Sequence, residues 1–118
     1  MRNIFVGAAL AFAIVSPAFA ADHSATPKQL TVVKSAFSEV QTLKDPDSVK
    51  LKNVRISKDN VCGEVNAKNS YGAYVGYTTF YGMYFAKDKD GNPVAMIMHI
   101  DSDDGDTIAQ QMCATNGL

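Results

Sequence analysis

The residues Cys62 to Phe85, C-G-E-V-N-A-K-N-S-Y-G-A-Y-V-G-Y-T-T-F-Y-G-M-Y-F, decide how this 118-residue chain folds. They hold all five tyrosines, one of the two cysteines, and glycines at 63, 72, 76 and 82. From Val61 to Lys68, the positions Val61, Gly63, Val65 and Ala67 alternate with Cys62, Glu64 and Asn66, the period of two that gives a strand two different faces. Tyr77 to Ala86 reads as a further strand. Between them, the glycines and asparagine of Asn69 to Gly76 predict a loop.

On the N-terminal side, Val49 to Ile56 alternates and then shifts phase. A bulge near Lys52 or Asn53 would return Val49, Leu51, Val54 and Ile56 to one side, and Lys58-Asp59-Asn60 would turn this strand into the next as a hairpin. On the C-terminal side, Asp90-Gly91 is a turn signal, and Pro93 to Ile100 a fourth strand paired with the third. The last two strands are apolar on both faces. Tyr77, Tyr81, Met83 and Phe85 oppose Phe80 and Tyr84, and Val94, Met96 and Met98 oppose Ala95 and Ile97, so both faces need cover.

Two helices can supply it. Thr26-Pro27-Lys28-Gln29 has an N-cap threonine, proline at the first helical position and glutamine at the third, a capping-box pattern. Leu30, Val33, Ala36, Phe37 and Val40 then form one apolar stripe, and Asp45-Pro46 stops the helix. Residues 21–25, small and polar, read as a frayed tail. After an acidic turn from Asp101 to Asp106, Thr107 to Met112 suits a short helix with aspartates at its N-terminus, ending at Cys113. The predicted fold is α+β: an N-terminal amphipathic helix, a four-stranded antiparallel sheet, a short C-terminal helix and one disulfide.

The first twenty residues have a different logic. Met1-Arg2-Asn3, an apolar run from Ile4 to Val15 and Ala18-Phe19-Ala20 form the three regions of a secretory signal peptide, with cleavage after Ala20. The run is too short to span a bilayer and no second one follows, so no membrane insertion is expected after cleavage. The remaining 98 residues suit one small α+β domain over residues 21–118, soluble in the periplasm or secreted. In an oxidising compartment Cys62 and Cys113 are expected to pair. Without Arg2 there are ten basic and twelve acidic residues, a net charge of −2 with no basic stripe, which argues against a nucleic-acid partner.

Three clusters invite chemistry. Asp101-Ser102-Asp103-Asp104-Gly105-Asp106 offers carboxylates, but in the wrong register for a calcium loop, with glycine fifth and Met112 at the twelfth position. A solvated turn and helix cap is the reading preferred, and no metal or other cofactor is expected. His99 and Asp101 could form a general-base pair, yet no nucleophile is placed beside them. Glu64 and Asn66 project on one strand face beside Lys68 and Asn69. With Tyr71, Tyr74 and Tyr77 these make the candidate ligand- or partner-binding set, since tyrosine gives large contact area at low entropic cost. The bland reading of Asn66 and Asn69, that they bond the loop backbone, is the stronger one for those two side chains. Tyr71 and Tyr74 are expected to be exposed. Tyr77, Tyr81 and Tyr84 lean toward the core.

At L-K-D-P-D-S-V-K-L-K-N-V followed by C-G-E-V-N-A-K-N-S-Y-G-A-Y-V-G-Y, the chain resembles a group of small exported or lipoprotein-type proteins of bacteria and their phages. The likeness spans Leu43 to about Phe80. The group has no established activity, so it implies export without assigning a catalytic or binding residue. Members with a lipobox would be membrane-tethered, whereas this chain has no cysteine near the cleavage point. Three functional expectations follow. The first is a non-enzymatic envelope module recognising a protein or glycan, and an inhibitor or immunity-like role would be one form of it. The second is a small periplasmic hydrolase or transferase using Glu64 or His99. The third is a homo-oligomer, a homodimer for instance, joined through the two-sided hairpin of the last strands.

Overall fold

The structure, a computed structural model, describes residues 23–118. The expected signal peptide lies outside the described residues. Helix α1 (Pro27–Ala36) is the first element seen, and it starts as the capping box requires. Gln29 N–H donates to Thr26 Oγ1 at 3.2 Å, and Thr26 N–H donates to Gln29 Oε1 at 2.9 Å. The helix stops ten residues on, well short of Asp45-Pro46. Serine hydroxyls compete for its carbonyls there: Ser35 Oγ–H donates to Val32 O and Ser38 Oγ–H to Ser35 O, both at 2.7 Å. The chain tightens into a 3-10 turn at Phe37–Glu39, and Pro46–Ser48 forms another.

Strands β1 (Lys50–Ser57), β2 (Asn60–Asn66), β3 (Thr78–Phe85) and β4 (Val94–Ile100) form an antiparallel meander in the order β1-β2-β3-β4. The bulge in β1 falls where the phase shift predicts it. Lys52 pairs with Glu64 and Arg55 with Cys62, so two residues of β1 face only Gly63, and Asn53 takes a positive φ of 53°. Val49 and Val54 are therefore both buried, with Leu51 and Ile56 packed beside them.

One sheet face carries the main core. Val33 of α1 and Phe37 of the 3-10 turn after it pack against Val54, Val61, Val65, Phe80 and Tyr84, and the rings of Phe37 and Phe80 meet edge to face at 5.1 Å. Gly63 is obligatory here, since a Cβ would come within 2.9 Å of Phe80 Cε1. The opposite face is covered by α2 (Ile108–Thr115), whose Ala109 and Cys113 lie on Cys62 and Tyr81. The Cys62–Cys113 disulfide joins helix to sheet across a Cα–Cα distance of 5.9 Å. This helix runs two residues past Cys113, where Thr115 Oγ1–H and Asn116 Nδ2–H back-bond to Gln111 O and Met112 O.

Three expectations need correction. Residues 23–25 are not frayed: Ile56 N–H donates to His23 O at 2.8 Å and Ala25 N–H to Val54 O at 2.9 Å, which adds a short strap to the outer edge of β1. Tyr77 precedes β3 and is 40% exposed, so it does not join Tyr81 and Tyr84 in the core. A second bulge lies on β4, where Tyr81 pairs with His99 but Gly82 with Ile97; it takes Met98 out of alternation and leaves it exposed. Among the described residues no helix is long and apolar enough to cross a membrane.

Candidate functional site

The loop between β2 and β3 is fixed by the two asparagines that flank Lys68. Asn69 Oδ1 accepts the N–H groups of Tyr71 at 2.9 Å and Ala73 at 3.2 Å, and Asn69 N–H donates to Ala73 O at 2.9 Å. Asn66 Oδ1 accepts Gly76 N–H at 3.1 Å. Gly72 and Gly76 take φ of +76° and +105°, which a side chain would oppose. Both asparagines thus work on the backbone. Their bonds hold out a hydrophobic tip, with Tyr71 93% and Val75 64% exposed.

Tyr74 and Tyr77 fold back over the strands. Tyr74 Oη–H donates to Ser48 O at 2.9 Å, and Ser48 Oγ accepts Lys68 N–H at 2.9 Å, so the loop is stitched to the turn before β1. Lys50 Nζ stands 4.3 Å from the Tyr74 ring centroid and Lys68 Nζ 5.5 Å from it, while Lys52 Nζ is 4.1 Å from the Tyr77 centroid. These are cation–π distances. Lys52 sits opposite Glu64 in the β1–β2 register, yet Glu64 Oε2 takes a 2.6 Å hydrogen bond from Asn53 Nδ2 instead. All seven residues proposed from sequence, Glu64, Asn66, Lys68, Asn69, Tyr71, Tyr74 and Tyr77, gather here. Sequence reasoning missed Ser48, Lys50, Lys52 and Asn53. Lys50, Lys52 and Asn53 signalled only the polar positions of a strand, and Ser48 only the turn before it, which says nothing about a loop folding back on them.

On the far side of the loop, Leu43, Val65, Ala67, Val75 and Ile100 line a largely apolar crevice of about 210 Å³, with Lys44 and Lys68 in its wall.

A second cluster sits where β4 meets α2. Asp101 is 4% exposed, and its carboxylate accepts Ala109 N–H at 2.6 Å and Gln110 N–H at 3.3 Å, capping the helix that the acidic turn introduces. His99 prefers Asp106 to the Asp101 expected from sequence: Nε2–H donates to Asp106 Oδ2 at 2.6 Å, whereas Asp101 Oδ1 is 3.6 Å away. Asp106 Oδ1 also accepts Ile108 N–H at 3.0 Å. That backbone bond is the main reason its carboxyl titrates below the ordinary 3.8; loss of solvent opposes it, and the His99 bond, Ser102 N–H and the charge of His99 add to the lowering. The ligand atoms of His99, Asp101 and Asp106 lie within 4.8 Å of one another, close enough to share an ion, but each already has a partner in capping or pairing.

Glu64 and His99 are not brought together. Glu64 pairs with Thr79 and His99 with Tyr81, which sets them two strands apart and in different rows, roughly 10 Å across the sheet. Compared with known proteins, the chain matches no family model, no curated protein and no solved structure.

Proposed function

We propose that this chain is an exported, non-enzymatic binding module of the bacterial envelope that recognises a protein or glycan through the Tyr71 to Tyr77 loop and the polar strand face beside it. One observation carries the reading: the loop exposes its apolar side chains while its backbone is held by Asn66 and Asn69. An exposed segment that is already ordered loses little entropy on binding, which is what a recognition surface needs. The signal-peptide pattern of residues 1–20 and the Cys62–Cys113 disulfide support placement outside the cytoplasm. The separation of Glu64 from His99 leaves a hydrolase using both without geometric support.

The test is a pull-down from an envelope extract with the oxidised protein. The double variant Tyr71→Ala with Val75→Ala should lose the captured partner and keep its melting temperature, because neither side chain makes a hydrogen bond or packs in either core cluster. Equal capture by the variant would sink the reading.

Self-association is a second reading, favoured by Met96 and Met98, 53% and 56% exposed on the edge strand β4. Light scattering decides it, and a monomer at micromolar concentration rules it out.

A further inference from the structure

The disulfide-bearing face of the β1–β2 hairpin is unusually rich in cations that have no anion. Lys50, Lys52 and Arg55 pair with Asn66, Glu64 and Cys62 respectively, so all three belong to the face on which Cys62, Glu64 and Asn66 alternate. Lys68 joins them at the Tyr74 ring. Among the described residues, none of the four has a carboxylate within 4 Å; the ion pairs found there are those of His99. The one acid in reach by register, Glu64, is engaged by Asn53. Like charges left without a counter-ion repel, so the free protein holds a surface that an anion would relieve.

The tyrosines make that surface orderly. An ammonium held over a ring keeps its charge exposed but has fewer rotamers to lose when an anion arrives. From Lys50 to Arg55 the cations extend over four rungs of the β1–β2 ladder, from Asn66 to Cys62 on the partner strand, about 13 Å, too far for one small anion to bridge. The ligand must carry several anionic groups along its length. Two features narrow it further. The Tyr74 and Tyr77 rings are already covered by ammoniums, which disfavours stacked bases. Glu64, in the middle of the patch, is acceptor-only and has an oxygen to spare, and sugar hydroxyls are the donors that acidic peptide side chains do not supply.

We infer that the ledge formed by Lys50, Lys52, Arg55 and Lys68 with Tyr74 and Tyr77 binds an extended acidic glycan. This rests on the recognition surface proposed above and names its ligand class. The probe is polygalacturonate, with neutral dextran and single-stranded DNA in parallel, measured by titration calorimetry on the full oxidised protein at low and moderate salt. Polygalacturonate should bind, neutral dextran should not, and affinity should fall as salt screens the contacts. Each of Lys50→Gln, Lys52→Gln and Lys68→Gln should weaken binding roughly threefold and the triple variant roughly thirtyfold, the scale of solvent-exposed charge contacts. A control triple variant, Lys28→Gln with Lys34→Gln and Lys89→Gln, should bind as the native chain does. The inference is overturned if polygalacturonate does not bind, if the control weakens binding as much as the ledge variant, or if DNA binds more tightly. Should it fail while Tyr71 and Val75 still govern capture from the extract, the ligand class alone is wrong; should capture be independent of them as well, the recognition surface itself is wrong.

Discussion

Cutting the tie between α2 and the sheet should cost this protein a large share of its stability. The disulfide joins residues 51 apart. For a loop of that length the chain-entropy relation removes roughly 14 cal/mol/K from the unfolded ensemble, or about 4 kcal/mol at room temperature. Small domains have only about 5–15 kcal/mol in total, so the loss should lower Tm by on the order of 20 °C. It should also be local at first. Helix α2 has eight residues and buries only Ala109 and Cys113, and a free helix of that length is marginal in water. The comparison is the oxidised chain, the reduced native chain and the variant Cys62→Ala with Cys113→Ala, by thermal melts and hydrogen exchange. The reduced chain keeps both sulfurs in place and isolates the tether; the variant adds the small cavity they leave. The amides at the C-terminal end of α2 should exchange fast in both, while those of β2 and β3 remain protected. A reduced chain that melts within about 5 °C of the oxidised one and keeps α2 protected would refute the reasoning, because the entropic term would then be largely absent.

Further substitutions test the packing and the charges. Gly82→Ala would drive a Cβ into the Met96 carbonyl oxygen of the neighbouring strand, and strands cannot move as a flexible side chain can, so a loss of about 1–3 kcal/mol is expected by urea denaturation. Tyr74→Phe removes the bond to Ser48 O and should cost about 1 kcal/mol, whereas Tyr71→Phe should leave the melting curve unchanged. Asp106 titrates lower when folded than when unfolded, so its contribution is fully present above the unfolded value near 3.8 and is lost as pH falls through the folded value. Asp106→Asn should therefore narrow the gap in urea midpoint between pH 7 and pH 3, and an unchanged gap would remove Asp106 from the acid limb.

Local chemistry was legible before the structure, and long-range chemistry was not. The capping box of Thr26 and Gln29, the β1 bulge and the hairpin turns follow from residues a few positions apart, where the backbone has few alternatives. The cysteine pairing was legible too, because only two candidates exist. Where α1 ends depended on whether Ser35 and Ser38 would bond carbonyls or face water, a competition that spacing does not resolve. Tyr77 alternates with Tyr81 on paper, but a strand that begins one residue later leaves it on the loop's return, above Lys52. The pairing of His99 with Asp106 over Asp101 came from the helix, whose N–H groups claim the Asp101 carboxylate. The cationic ledge required 26 residues of chain to bring Tyr74 back to Ser48, and no periodicity reports that.

The strap formed by residues 23–25 bears on how copies of the sheet can meet. Strand-by-strand growth into a filament needs two open edges per molecule, one to receive and one to offer. Here the outer edge of β1 is occupied at Val54 and Ile56, and its remaining stretch carries Lys50 and Lys52, residues that deter edge pairing. Only β4 is left open among the described residues. A sheet with a single usable edge can join one other copy across a two-fold axis and then has nothing left to extend, so three residues of backbone pairing turn a potential polymer into, at most, a closed pair.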